Sequence, residues 1–357
     1  MKPVTVPFFI SHQGCPHTCV FCDQRTISGA VGALPTQAEI VSKIAAWRYG
    51  AGGRPVEVAF FGGSFTALPE KIQDELLAPL QPLLACGEIS AVRLSTRPDC
   101  IYPERVLWLK NHGVSTIELG VQSMDDRVLA ASGRGHSAAE SETAIRCIKQ
   151  LGVLVGAQLM PGLPGDTPHS SLLSLERVVS AGADFIRIYP AIVIRGTELA
   201  RRYGAGEYFP LSLEQGVTLC KLLLHRALQS ALPVIRIGLQ ADDGLNAETV
   251  LAGCWHPSLG QLVSSDLYGD LVGNYVAEGD SVDVFCHPSR LSDVAGHKRS
   301  NLERLARRGV SMRLAADMTL DKKEIMIKRD NCCFRYNLVN DLKYSINEVY
   351  QQCARTH

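Results

Sequence analysis

The sequence predicts an α/β protein: a partial parallel barrel of six strand–helix units followed by a small α/β domain. Three observations predict it. Short apolar runs rich in β-branched and aromatic residues alternate strictly with stretches of helical spacing as far as about residue 240. The chemically unusual residues gather at the ends of those runs. Beyond residue 240 the rhythm changes to a compact pattern of different order.

The strand-like runs are, in order, VTVPFFIS, VEVAFFGG, VRLSTRPD, TIELGVQS, VGAQLMPG and FIRIYPAI. Helical spacing fills the intervals: QAEIVSKIAAWRYG, KIQDELLAPLQPLL, ERVLWLKNHG, AESETAIRCIKQLG, SLLSLERVVSAG and, after the last run, LEQGVTLCKLLLHRALQS. Several of these stop at a glycine, as helix C-termini prefer. Strict alternation means a parallel sheet joined by right-handed crossovers, and such units curl into a barrel whose strand C-terminal ends carry chemistry. This assigns residues 1–240 to the barrel and 241–281 to an extension covering it. Residues 282–357 form the C-terminal domain, read as strand VDVFCH, helix SNLERLARRG and strands SMRLAAD and EIMIKRD.

Composition limits the function. The 357 residues are 46% hydrophobic, enough for a sizeable core. Lys plus Arg equals Asp plus Glu at 36 each, so attraction to nucleic acid must come from a local patch. No run approaches the roughly 18 apolar residues that span a bilayer, and MKPVTVPFFISHQG lacks the apolar core of a signal peptide, so the expected location is the cytoplasm.

Of twelve cysteines, only Cys15, Cys19 and Cys22 have metal-site spacing. Most of the others read as small core hydrophobes, and for the vicinal Cys332 and Cys333 core packing is favoured over ligation of a second cluster. The three follow the first strand. Gly62 and Gly63 end the second, Ser95 the third, Gln122 the fourth, Gln158 the fifth and Tyr189 the sixth, so all fall at one rim. A structural zinc site wants four ligands, and a fourth would have to be His12, His17 or something distant. A [4Fe-4S] cluster on three thiols leaves one iron open to a cofactor or substrate.

CPHTCVFC, with gaps of three and two residues and Phe21 before the last cysteine, resembles the radical S-adenosylmethionine superfamily. That resemblance implies a [4Fe-4S] cluster on Cys15, Cys19 and Cys22 whose free iron chelates S-adenosylmethionine, reductive cleavage to a 5′-deoxyadenosyl radical, and an electron donor such as flavodoxin or ferredoxin. It also implies cofactor contacts from Gly62, Gly63 and Ser64 in FFGGSF, where a side chain would block close approach. Further contacts are implied from Ser95, Gln122, Gln158 and Arg134, the last a planar fork suited to a carboxylate. Over roughly residues 55–240 the motifs FFGGSFTALP, TRPD, ELGVQS, GRGHS, QLMPGLPGD and IRIYPAIVIRGTELA are similar to the catalytic subunit of Elongator, a tRNA-modifying complex. In that subunit the gap between the first two cysteines is wider and a Glu stands where Ser95 is. Its acetyltransferase domain and N-terminal tRNA-binding extension are not visible here.

Tyr189 and Arg195 in YPAIVIRGTE are candidates for the substrate pocket, with a helix cap or a Glu198 pair as the alternative for Arg195. LSDVAGHKRSN resembles the GxxG loop of KH domains, with Gly296 matching and Arg299 replacing the second glycine. Gly296, Lys298 and Arg299 are therefore candidates to clamp single-stranded RNA, in a stretch from Arg290 to Arg313 holding seven basic residues against two acids. Together these features predict a radical enzyme modifying an RNA base, with tRNA as partner. A reaction on a small molecule, like that of coproporphyrinogen oxidases with the last domain as lid, is one rival; a metal-stapled RNA-binding protein without turnover is another.

Overall fold

A computed structural model describes residues 3–17, 19–23, 26, 34–239, 245–246, 248–330 and 332–354. The chain divides into two compact units, residues 1–210 with 240–253, and residues 211–239 with 254–357. The boundary expected at residue 240 lies among 240–244, outside the described residues.

In the first unit, β1 (Val4–Phe9), β2 (Val56–Phe61), β3 (Ala91–Thr96), β4 (Val114–Gln122), β5 (Leu154–Leu159) and β6 (Phe185–Ile188) lie side by side in chain order. Every neighbouring pair is parallel. This is the half-barrel the alternation predicts. Helices Gln37–Gly50, Ala138–Gln150 and Pro168–Ala181 form the crossovers, each started by a capping box at Thr36, Ser137 or Thr167 that satisfies two orphan backbone donors. The crossover after β2 is broken into Glu70–Leu77 and Leu80–Ala85, because Pro79 cannot continue a helix. Strand β7 (Ile192–Ile194) follows β6; of the later strands, β8 (Val234–Ile237) falls in the second unit, and β9 (Val250–Gly253) returns antiparallel to β7.

Side-chain alternation gives the sheet two unlike faces. Val58, Phe60, Val92, Leu94, Ile117, Leu119, Val155, Ile186 and Ile188 are fully or almost fully buried under the helices. The opposite face carries Glu57, Arg93, Ser95, Glu118, Gln158 and Arg187. Position 156 on that face is glycine because the ring of Phe185 occupies the place where a Cβ would stand.

The second unit holds helices Leu213–Gln229 and Leu259–Gly273 and a sheet of order β11 (Ser311–Ala316), β10 (Ser281–Cys286), β12 (Glu324–Arg329), β13 (Cys332–Asn337). β10 and β11 are parallel and joined through two short helices, Leu291–Ala295 and Ser300–Arg307. Leu267, Leu271, Val284, Leu305, Ile325 and Ile327 form its core. Cys220, Cys254, Cys286 and Cys353 are buried as small hydrophobes, but Cys332 and Cys333 are exposed on the outermost strand and pack in no core.

Candidate active site

Strand β1 delivers the chain into the thiol loop, and two glycines lock that loop to the one after β2. Ser64 N–H donates to the Gln13 carbonyl at 2.9 Å. Gly14 and Gly63 have left-handed φ of 71° and 52°. A Cβ on Gly14 would strike the Ser64 carbonyl, and one on Gly63 the carbonyls of Ile10 and Gln13. Backbone therefore meets backbone, which only glycine permits. Cys15 Sγ lies 3.5 Å from Ser64 Oγ.

Cys19, Val20 and Phe21 are sunk into a cluster with Val128, Leu163, Val193, Leu199 and Tyr208, so the aromatic residue before the last cysteine is an anchor. The Leu199 N–H donates to the Val20 carbonyl at 2.7 Å. Burial, then the neighbouring charges of Cys19 and Cys15, push the Cys22 thiol up to about 12. A bound cation would reverse that preference for the protonated Cys22 thiol. Among the described residues no group of three or more His, Cys, Asp or Glu side chains is arranged by itself to hold a metal ion. What suits an iron–sulfur cluster here is the kind and number of donors on one short loop.

Two buried guanidiniums stand beside the thiols. Arg134 Nη1 donates to Cys19 Sγ at 3.2 Å and Nη2 to the Gly120 carbonyl. Arg97 forks onto Asp99 at 3.0 Å and donates Nη2 to the Arg134 carbonyl. Arg134 Nε and Arg97 Nη1 are buried with no hydrogen-bond partner among the described residues. An orphaned charged donor is costly unless a ligand completes it; two at one place suit a carboxylate. His136 packs against the same group, and burial, then Arg134 and Arg97, pull its pKa down to about 4.

Gln122 has a left-handed backbone, φ 69°, beside a bulge between Leu119 and Gln122. Non-glycine residues hold that conformation where surrounding structure enforces it, and such positions cluster at functional sites. Its Oε1 accepts from Gln158 Nε2 at 3.1 Å. Thus Cys15 with Ser64, Cys19 with Arg134, and Gln122 with Gln158 are brought together in pairs, while Ser95 is half-buried on the helix-free face in register with Glu118.

The charges on that face escaped the sequence reading. Glu118, 6% exposed, accepts from Arg93 Nη1 at 2.7 Å and from Arg187 through Nε and, at 2.9 Å, Nη2. Arg93 Nε also donates to Glu57 at 3.1 Å, and Arg187 Nη1 to the Tyr189 hydroxyl at 3.1 Å. Burial would lower the Arg187 pKa, but the charge and hydrogen bonds of Glu118 more than offset this and raise it. Their signal is a single charge inside each of VRLST, IELGV and FIRIY. Arg195 is not brought to this face. It is exposed, and its Nε donates to the Glu248 carbonyl at 3.0 Å, while Glu198 pairs with Arg201 and Arg202.

In the second unit, Gly296, Lys298 and Arg299 have φ of 86°, 52° and 67° at the start of helix Ser300–Arg307. Asn301 Nδ2 fastens the turn to the Ser265 carbonyl at 2.7 Å. The basic stretch is less free than its charge suggests. Arg290 pairs with Asp293, Arg304 with Asp266, Arg307 with Glu303 and Arg313 with Asp283, and Arg308 donates to the Gly273 and Val276 carbonyls. Among the described residues, Lys298 and Arg299 are left without an acidic partner.

Residues 9–176 match the Radical SAM superfamily, and residues 183–268 match the Radical_SAM C-terminal domain. The chain belongs to the radical SAM superfamily. As a radical SAM enzyme it uses a [4Fe-4S] cluster and S-adenosylmethionine, and the thiol loop and orphaned guanidiniums suit that pair in donor chemistry. It is 30% identical over 208 residues to Protein YhcC of Escherichia coli K12, covering 55% of this chain and 63% of that one. It is 25% identical over 298 residues to a tRNA uridine(34) acetyltransferase of Methanocaldococcus jannaschii, covering 72% of this chain and 54% of the relative. Of solved structures, the archaeal Methanocaldococcus infernus Elp3 with an N-terminal deletion superposes with a TM-score of 0.58 at 21% identity, over 75% of this chain and 63% of that one. The radical SAM chain thus shares the Elp3 fold and spans about half the length of the uridine acetyltransferase. Among the described residues no helix is long and apolar enough to cross a membrane.

Proposed function

We propose that this radical SAM enzyme modifies a base of RNA, with tRNA as the substrate class. The observation that carries it is the juxtaposition of the thiol loop with a half-barrel face lined by hydrogen-bonding side chains; relatives named for tRNA uridine support the choice of RNA. Cys15, Cys19 and Cys22 hold the cluster. The backbone at Gly62 and Gly63 receives the cofactor's amino group, Arg134 with Arg97 takes its carboxylate, and Ser64, Ser95, Gln122 and Gln158 orient the rest. When bound, cluster and cofactor supply one-electron cleavage of S-adenosylmethionine to methionine and a 5′-deoxyadenosyl radical. The chain's own share is to position the substrate, keep water away and accept an electron from a flavodoxin or ferredoxin. Lys298 and Arg299, the unpaired cations of the KH-like turn, contact the RNA backbone.

The test is anaerobic incubation of the reconstituted enzyme with dithionite, S-adenosylmethionine and bulk tRNA, then digestion to nucleosides and mass spectrometry. A nucleoside of altered mass, absent with Cys19→Ala, is expected. Cofactor cleavage that yields no altered nucleoside would refute RNA as substrate. It would favour the small-molecule reading, which the internal pairing of most basic residues near Arg299 also supports.

A further inference from the structure

The charged cluster on the helix-free face has no account in the chemistry above. Four buried or nearly buried ionic groups, Glu57, Arg93, Glu118 and Arg187, form one chain across β2, β3, β4 and β6. Buried ion pairs contribute little net stability relative to apolar residues of the same size, because desolvation offsets their attraction. Such a chain is better explained by what it holds in place. It holds Tyr189. Residues 187 and 189 share a face of the extending strand, and the Tyr189 N–H donates to the Leu159 carbonyl at 2.8 Å, fixing the backbone at the C-terminal end of β6. Glu118 grips Arg187 by two nitrogens, which removes the rotational freedom of the guanidinium. Arg187 then donates to the phenol oxygen.

The direction of that last bond matters. An arginine has no acceptor, so the phenol oxygen must accept and its own proton points elsewhere. Among the described residues no acceptor takes it. Tyr189 is half-buried on the same face, at the strand end where parallel α/β sheets bind ligands. Gln158, in register with Arg187, is committed through its amide N–H to Gln122.

We infer that the Tyr189 hydroxyl is a hydrogen-bond donor to a ring carbonyl of the substrate base, and that Arg187 and Glu118 are positioning residues acting through it; this rests on the RNA-base reading. A base carbonyl is the acceptor such a donor suits, because it presents an exocyclic oxygen in the plane of the ring. Loss of one such bond is expected to cost about tenfold in specificity, about 1.4 kcal/mol.

The test compares wild type, Tyr189→Phe, Arg187→Lys and the double variant, all as reconstituted holoenzyme, with bulk tRNA as probe. In wild type, tRNA should raise the rate of 5′-deoxyadenosine release. Tyr189→Phe should keep the cluster absorption of wild type and lose about tenfold in the tRNA-dependent kcat/KM. Arg187→Lys should do the same, and in the double variant it should add no further loss, which a merely structural role would not produce. The inference is overturned if Tyr189→Phe responds to tRNA like wild type, if it loses the cluster absorption as well, or if the two losses add. Wild type that ignores tRNA refutes the RNA reading instead, a distinct outcome that takes this inference with it.

Discussion

Replacing Glu118 with Gln should be among the most destabilising single changes in the half-barrel. Glu118 is 6% exposed, and the side chains of Arg93 and Arg187 are each 18% exposed. Neutralising the carboxylate leaves two guanidiniums facing one amide in a site with little water. Removing one partner of a buried ion pair costs about 3 to 5 kcal/mol, because the remaining charge stays desolvated. For a unit of this size each kcal/mol moves the melting midpoint by about 2 to 4 °C, so a fall of about 6 to 20 °C is expected. The assay is thermal and urea unfolding of the apoprotein beside wild type. A chain in which Glu57, Arg93, Glu118 and Arg187 are all replaced by apolar residues of similar volume should be no less stable than wild type. A loss below about 1 kcal/mol for Glu118→Gln would refute the reasoning, since it would mean that the network is solvated like a surface pair.

Arg134→Lys should let the cluster assemble but weaken S-adenosylmethionine binding at least tenfold by equilibrium dialysis, because an ammonium cannot offer the guanidinium's fork. His136 has a folded pKa of about 4 against an ordinary 6.5. The unfolded chain therefore takes up its proton first, and the contribution of this site to stability is complete above pH 6.5 and falls as pH drops toward 4. The loss is about 3 kcal/mol, visible as a sloping urea midpoint that His136→Asn should flatten. Gly216→Ala should destabilise by about 1 to 3 kcal/mol despite better helix propensity, since the new methyl would run into the buried Cys254 sulfur. Gly50→Ala, with nothing near it, should stabilise by up to about 1 kcal/mol in the same unfolding assay.

The parallel half-barrel was legible because apolar runs and helical spacing alternate over a long stretch, and the run ends carry Cys15, Gly63, Gln122 and Tyr189 to one rim. The thiol loop was legible from spacing alone. Its anchoring by Phe21 was not, since burial against Leu199 depends on a helix distant in the chain. Arg93, Glu118 and Arg187 looked like isolated charges because strand register, with breaks at Val92/Arg93 and Leu119/Gln122, decides which side chains meet. Charge counting from Arg290 to Arg313 overstated the basic patch. Asp266, which neutralises Arg304, sits on the unforeseen helix Leu259–Gly273. Cys332 and Cys333 read as core from composition, yet they open an edge strand just beyond the left-handed Asp330, φ 53°.

The measurement that tests the central claim most directly is 5′-deoxyadenosine release, followed by chromatography after anaerobic reconstitution with iron and sulfide and addition of dithionite and S-adenosylmethionine, with and without bulk tRNA. Release by wild type, faster with tRNA and abolished by Cys19→Ala, is the predicted result. A fully assembled cluster with no deoxyadenosine under either condition would contradict it.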